Sequence, residues 1–137
     1  MFYIIADEVQ GEVPVTVLQI HGEVDRSNYQ SVVARAREAY DAGARDLLLD
    51  LEYVPYMGSA GLVALHSIAL LMRGETPPDP EASWGTLRSV DGEQEPGLQQ
   101  HVKLLNPQPK VKGVLTMSGF DSFFEIYTDQ EAAIASF

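Results

Sequence analysis

The sequence predicts a single α/β domain in which about four helices cover a mostly parallel central sheet of about five strands. Three observations lead to this prediction. The length of 137 residues suits one domain. Apolar runs of strand length alternate with stretches of helix length, which is typical of parallel sheets with right-handed crossovers. Only a short turn separates the first two strands, so we expect the first strand to be antiparallel at an edge of the sheet.

The first two predicted strands cover residues 2–6 and 13–21. Residues 8–12 would form the turn between them, where Gly11 can adopt a positive φ. Apolar side chains alternate to both sides of the second strand, so we expect it to be buried on both faces. These side chains are Val13, Val15 and Val17 on one side and Leu18 and Ile20 on the other.

A helix is predicted to begin at Ser27, because Ser27-x-x-Gln30 has the pattern of a capping box. Gly43 suits the C′ position after the end of this helix. A short apolar strand follows over residues 46–51. Ser59 is then expected to cap a second helix, which is apolar nearly all round.

Residues 74–100 differ in composition from the rest of the chain. They contain four prolines, four glycines, and six acidic residues against one basic residue. They show neither a helical nor a strand period, so a long acidic loop is predicted. We interpret it as an insertion into one domain that spans residues 1–137.

Beyond this loop, a strand is predicted over residues 102–105 and another over residues 123–127. Asn106 is expected to cap the helix between them. A second capping box, Thr128-x-x-Glu131, would open a short terminal helix. The predicted order of elements is therefore β-β-α-β-α-β-α-β-α.

Charge and residue types exclude several kinds of function. Twenty acidic residues against nine basic residues give a formal net charge of −11, which disfavours nucleic acids and anionic membranes as partners. Cysteine is absent and the three histidines lack the spacing of metal ligands, so neither a metal nor a cofactor is expected. No uncharged apolar run reaches the length of a membrane span, and the N-terminus lacks the features of a signal peptide. These properties favour a cytoplasmic protein that binds a protein partner.

Ser59 lies in the turn with the strongest functional pattern, residues 54–62. It stands at the start of a predicted helix between Gly58 and Gly61, whose small size permits close backbone approach. The free amides and positive dipole end of the helix would stabilise a phosphate added to its hydroxyl. The alternative is that Ser59 serves only as a helix cap. A nucleophilic serine is not expected, because Met57 occupies the first glycine position of the G-x-S-x-G motif.

A second turn of interest follows the strand at residues 13–21 and carries Glu23 and Asp25. These acids could hold a cation or a hydroxyl donor, or they could cap the next helix. The carboxyl ends of neighbouring parallel strands meet at one edge of a sheet. We therefore expect Asp25 to order the site around Ser59.

The patterns in these turns resemble those of the STAS domain, the fold of anti-sigma factor antagonists. The sequence G-E-V-D at residues 22–25 is similar to the turn after the first buried strand of that family. D-L at residues 50–51 and G-S-A-G-L at residues 58–62 are similar, the latter in part, to its D-L and D-S-S-G-L motifs. L-N-P at residues 105–107 resembles its C-terminal pattern. The resemblance covers nearly the whole chain except residues 74–100 and implies a STAS-like fold.

The resemblance also implies an anti-sigma factor antagonist in a partner-switching pathway of transcription regulation. When unphosphorylated, such a protein binds an anti-sigma factor that is itself a serine kinase. Phosphorylation of the serine that Ser59 matches breaks this binding, so Ser59 is the expected phosphoacceptor. The residues expected to contact the kinase are Asp25, Gly58, Ser59, Ala60, Gly61 and Leu62.

Two positions depart from the family pattern. Gly58 stands where an acid usually precedes the serine, and Ala60 replaces a second serine. The alternative function is therefore a STAS module that is not phosphorylated and serves as a scaffold or binds a small ligand or nucleotide. An enzyme is not expected, and the sequence leaves a homodimer open.

Overall fold

The computed structural model describes residues 2–75 and 99–137. Within these ranges, the strands are β1 (Tyr3–Gln10), β2 (Pro14–His21), β3 (Leu47–Tyr53), β4 (Val102–Leu105) and β5 (Ile126–Tyr127). The helices are α1 (Tyr29–Asp41), α2 (Ser59–Met72), α3 (Pro109–Ser118) and α4 (Gln130–Ala135). A short 3-10 turn, Phe120–Ser122, follows α3. The predicted element order is confirmed.

The five strands of the described sheet lie side by side in chain order, from β1 to β5. β1 pairs antiparallel with β2 at one edge, and every other neighbouring pair is parallel. The register between β2 and β3 shifts once, between Gln19 and His21. This arrangement confirms a mostly parallel sheet with an antiparallel first strand, and it brings the carboxyl ends of β2, β3 and β4 to one edge.

The two faces of the sheet are covered unequally. On one face, apolar residues of the strands pack with α1, α2 and α3 into the main core. On the other face, a smaller cluster contains Ala133 and Ile134 of the six-residue helix α4. Leu18 and Ile20 belong to the first cluster and Val15 to the second. The prediction that β2 is buried on both faces is therefore confirmed.

The first hairpin differs from its prediction. β1 continues to Gln10, where we expected a strand over residues 2–6 and a turn over residues 8–12. The apolar run ends early because β1 is an exposed edge strand, whose backbone pairing with β2 needs no buried side chains. The chain reverses instead between Gln10 and Pro14, where the amide of Gly11 donates to the carbonyl of Val13 at 3.1 Å.

Three predicted helix caps are placed incorrectly. α1 begins after Asn28, and Ser27 instead donates both its amide and its hydroxyl to Asp25. α3 begins at Pro109 after Gln108 rather than after a cap at Asn106. The N-cap of α4 is Asp129, whose carboxylate accepts from the amide of Ala132 at 3.1 Å, and not Thr128. In each case the helix begins after a neighbouring polar residue one or two positions away, and of these three N-caps only Asp129 makes a side-chain cap bond.

Other boundaries agree more closely. Gly43 has a φ of 112° directly after the C-cap of α1, as expected of a C′ residue. β4 matches its predicted range of 102–105, whereas β5 is shorter than the predicted 123–127 because the 3-10 turn precedes it. The acidic insertion at 74–100 lies outside the described residues except at its ends, so its role stays a prediction. Of the helices described, none has the length and apolar character to cross a membrane.

Candidate functional site

Two turns are joined by backbone pairing at the carboxyl edge of the sheet. The amide of Gly22 donates to the carbonyl of Tyr53 at 3.0 Å, and the amide of Val24 donates to that of Tyr56 at 3.1 Å. Val24 also forms an isolated parallel bridge with Met57, and both of these side chains are buried. The turn that carries Asp25 is thus fixed beside the turn that leads to Ser59. This confirms that both turns lie at the same edge of the sheet.

Ser59 is the first residue of α2 and is exposed. The N-cap is Gly58, so the prediction that Ser59 itself caps the helix is wrong by one position. The first helical hydrogen bonds run from the amides of Gly61 and Leu62 to the carbonyl of Gly58. The amides of Ser59 and Ala60 precede these bonds and have no partner within the helix. A serine hydroxyl therefore stands at the positive end of a 14-residue helix.

The other predicted contact residues around Ser59 differ in exposure. Gly58 is half-buried, whereas Ala60, Gly61 and Leu62 are buried. The side chains of Ala60 and Leu62 belong to the main core. The exposed surface at this end of α2 therefore consists mainly of Ser59 and the N-cap.

Gly61 is required by close packing and not by an unusual φ. A Cβ atom at this position would lie 2.6 Å from Sδ and 2.7 Å from Cβ of Met57. Gly58 is different, because a Cβ there would meet nothing closer than the Tyr56 ring at 3.8 Å. The absence of a side chain at Gly61 lets the first turn of α2 pack on Met57, and a close approach of a ligand or partner to Gly58 and Gly61 stays a prediction.

Asp25 organises the neighbouring turn through a set of local hydrogen bonds. Its carboxylate accepts from the hydroxyl and the amide of Ser27, the latter at 2.8 Å. These two bonds, from the hydroxyl first, hold the pKa of the Asp25 carboxyl below its ordinary value of 3.8. The Asn28 side chain accepts from the Asp25 amide at 3.0 Å and donates to the carbonyl of Glu23 at 2.9 Å. Asp25 therefore holds its own turn rigid, which in turn supports the bridge to Met57.

A third turn, after β4, reaches the same edge and was not predicted as part of the site. Asn106 has a φ of 52°, a left-handed conformation that asparagine tolerates better than most residues. The Gln108 side chain donates to the carbonyl of Glu52 at 2.7 Å and ties this turn to the end of β3. The Asn-Pro pair at 106–107 was the sequence signal for a turn here, although we interpreted it as a helix cap.

The residues that could support other chemistry lie away from Ser59. His101 is bonded to Asp46 at 2.9 Å at the amino ends of β4 and β3, across the sheet from the Ser59 turn. Among the described residues, no group of three or more acidic or histidine side chains could hold a metal ion. What the arrangement provides is an exposed hydroxyl at a helix N-terminus, where a phosphate would be stabilised.

Comparison with known proteins agrees with this fold. The curated protein named "Putative anti-sigma factor antagonist BtrV" from Bordetella bronchiseptica is 29% identical over 131 residues, which covers 96% of this chain and 90% of that protein. The structure of an anti-sigma factor antagonist from Mycobacterium paratuberculosis has a TM-score of 0.69 and 16% identity, over 99% of this chain and 93% of that one. The Bacillus cell fate determinant SpoIIAA in its phosphorylated form has a TM-score of 0.56 and 21% identity, over 96% of both chains.

These structural likenesses show a shared fold. The family assignment comes from the sequence, because residues 5–74, from β1 to the end of α2, match the STAS domain. This segment contains both turns of the candidate site. The chain belongs to the STAS domain family.

Proposed function

We propose that this protein is an anti-sigma factor antagonist that switches partners through phosphorylation of Ser59. In the unphosphorylated state it binds an anti-sigma factor that is a serine kinase. Phosphorylation by that kinase releases it. No catalytic step is assigned to this chain, whose part is to present Ser59 and to bind.

The observation that carries the proposal is the exposure of Ser59 at the first position of α2, in a turn that is fixed on both sides. Met57 packs against Gly61 behind it, and the Val24–Met57 bridge joins it to the Asp25 turn. The Ser59 hydroxyl is therefore accessible to a kinase, and the backbone that carries it is already ordered before binding. The name of the Bordetella relative, which aligns along nearly the whole chain, supports the coarser role of an anti-sigma factor antagonist.

The effect of phosphorylation follows from charge and solvation. A phosphate would add about −1.5 to −2 charges at pH 7. The free amides at the start of α2 would stabilise these charges in the unbound protein. A partner that covers Ser59 would have to strip water from the phosphate, which costs binding free energy unless new cations compensate. Phosphorylation is therefore expected to stabilise the free protein and weaken the complex.

The experiment is to incubate the protein with ATP and candidate anti-sigma factor kinases from the same organism and to map the modified residue by mass spectrometry. We expect one phosphate on Ser59, and none on the Ser59→Ala variant. Ser27 provides an internal comparison, because it is exposed in the adjoining turn but its hydroxyl is already bonded to Asp25. A phosphate on Ser27 with Ser59 unmodified would overturn the proposal.

One observation favours a second function, in which the chain is a STAS scaffold or ligand-binding module without phosphorylation. Gly58 replaces the acid that usually precedes the serine in the family pattern, although its φ of −102° suits any residue and its Cβ direction is open. The backbone therefore does not require glycine at this position, so the fold does not explain the missing acid. Tight binding of an anti-sigma factor without phosphate transfer by any candidate kinase would favour this function.

A further inference from the structure

Three aromatic rings form a continuous stack across β1, β2 and β3. His21 stacks on Tyr3 with ring centroids 4.3 Å apart and on Tyr53 with centroids 4.5 Å apart, and both pairs are within 9° of parallel. The two tyrosines cover both faces of the His21 ring, while the outer face of each tyrosine lies outside the stack. Tyr3 and Tyr53 are each 45% exposed. The stack is therefore rigid yet open to solvent.

The stack lies on the sheet face that α4 leaves uncovered at this end. Cross-strand pairs place Tyr3 beside His21, His21 beside Tyr53, and Ile5 beside Gln19, so these side chains share one face. Ile5 is 48% exposed. We call Tyr3, Ile5, His21 and Tyr53 the aromatic face.

Hydrogen bonds connect the aromatic face to polar side chains of β2 and β3. The His21 ring bonds to Oε1 of Gln19 at 2.6 Å, and Nε2 of Gln19 donates to the buried carboxylate of Asp50 at 3.3 Å. That carboxylate also accepts from the amide of Glu52 at 3.0 Å. Because these bonds and the stacking already order the rings, a partner that covers them would lose little side-chain entropy on binding.

The charge around the aromatic face is one-sided. β1, β2 and β3 carry no lysine or arginine. The exposed Asp7 shares the face of Tyr3 and Ile5 on β1, and the carboxylate of Asp50 on β3 lies buried beneath Gln19. The Arg35 guanidinium is engaged by the carbonyl of Ile4, on the α1 side. Lys103 of β4 shares the sheet face but bonds to Ser136 and Glu125 near α4. A partner that meets this face therefore encounters aromatic rings in a negative field.

The strand that carries Tyr53 leads directly into the Ser59 turn. Tyr53 accepts from the amide of Gly22, and three residues later Tyr56, 42% exposed, lies beside Gly58. Of the large apolar and aromatic side chains that the described residues expose, Tyr3, Ile5 and Tyr53 lie on the aromatic face, Tyr56 lies in the Ser59 turn, and Met117 lies on α3. Clustering of this kind marks an interaction surface more often than scattered exposure does.

We propose that the aromatic face is a second part of the docking surface for the anti-sigma factor, and that it receives arginine and apolar side chains of that partner. The inference rests on the proposed function, since it names how the same partner is held beyond Ser59. Arginine is the chemical match because its planar guanidinium stacks on tyrosine rings and its charge complements the surrounding carboxylates.

The test measures the dissociation constant between the unphosphorylated protein and the kinase that modifies it, at two salt concentrations. The variants are Tyr3→Ala, Tyr53→Ala and Ile5→Ser, with Met117→Ala as the matched control of an exposed apolar residue on a different element. Circular dichroism verifies folding of each variant. Ile5 lies outside the stack, so Ile5→Ser tests the surface even if the tyrosine variants lose structure.

We expect each tyrosine variant to bind at least about tenfold more weakly, as truncation of aromatic anchors in interfaces commonly does. Ile5→Ser should bind several-fold more weakly, Met117→Ala should bind within about twofold of the original protein, and association should slow as salt rises. If Tyr3→Ala, Tyr53→Ala and Ile5→Ser all bind with wild-type affinity while Ser59→Asp still blocks binding, this inference is wrong and the proposed function is unaffected. Equal loss in Met117→Ala would overturn the assignment to this face. Absence of kinase binding, or no effect of Ser59→Asp, would overturn the proposed function and this inference with it.

Discussion

Replacement of Gly61 by alanine changes the candidate site at its closest internal contact. The added methyl group would lie 2.7 Å from Cβ of Met57, an atom that cannot move without its backbone. Met57 is 2% exposed and is bridged to Val24, so a shift there separates the two turns that frame Ser59. We expect Gly61→Ala both to destabilise the fold and to disturb the presentation of Ser59.

The magnitude follows from two opposing effects. Alanine in place of glycine inside a helix is favourable by about 0.8–1 kcal/mol. Overpacking of a well-filled core is unfavourable by about 1–3 kcal/mol. Gly113 in the middle of α3 is the matched control, because a Cβ there would have nothing within 4 Å. The difference in unfolding free energy between Gly113→Ala and Gly61→Ala should therefore be about 1–3 kcal/mol, with Gly113→Ala the more stable.

The assay is urea unfolding followed by circular dichroism for both variants, together with their rates of Ser59 phosphorylation. For a domain of this size, the expected difference corresponds to roughly 3–10 °C in melting temperature. Gly113→Ala should be phosphorylated at the original rate and Gly61→Ala more slowly. If Gly61→Ala proves as stable as Gly113→Ala and equally well phosphorylated, the contact between Gly61 and Met57 does not hold the Ser59 turn in place.

Three further predictions concern the same edge of the sheet. In a calorimetric titration, Ser59→Asp should weaken binding to the anti-sigma factor, whereas Ser59→Ala should retain it. The loss in Ser59→Asp should be smaller than the loss caused by a phosphate, because aspartate adds only one charge. Equal affinities of the two variants would argue against an interface centred on Ser59. The pKa of the Asp25 carboxyl, measured by NMR, should lie below its ordinary value of 3.8. Its bonds to Ser27 should therefore persist above that pH and be lost only as the pH falls through the lowered pKa. A measured pKa at or above 3.8 would contradict this hydrogen bonding. Gly58→Asp should raise the unfolding free energy by a few tenths of a kcal/mol, because aspartate is a better N-cap than glycine. It should also speed phosphorylation, and an unchanged rate would show that the kinase does not read this position.

The fold could be predicted from the sequence because its central strands are buried. β2, β3 and β4 are apolar runs of the right length, and they alternate with helices as parallel sheets require. The range of β1 was predicted less accurately, since an edge strand need not alternate between apolar and polar side chains, and β5 is shorter than predicted because a 3-10 turn precedes it. Helix caps were placed one or two residues away, because several polar residues near each start could serve.

The site was predicted only in part, because much of it depends on pairing between distant segments. Ser59 and Asp25 could be identified from local patterns and from the family resemblance. The bridge of Val24 to Met57 and the stack of Tyr3 on His21 depend on register across strands. The pairing of Tyr3 with His21 could not be predicted, because the turn between β1 and β2 was predicted at residues 8–12. That pairing requires the chain to reverse a few residues later, between Gln10 and Pro14.

Partner switching through Ser59 is tested most directly by a comparison of the two phosphorylation states of one protein. The unphosphorylated protein and the same protein carrying a phosphate on Ser59 are titrated separately with the anti-sigma factor kinase in an isothermal calorimeter, after circular dichroism has shown both to be folded. We expect a tight complex with the unphosphorylated protein and a complex at least about a hundredfold weaker with the phosphorylated one, a difference of about 2.7 kcal/mol. Equal affinities in the two states would contradict it.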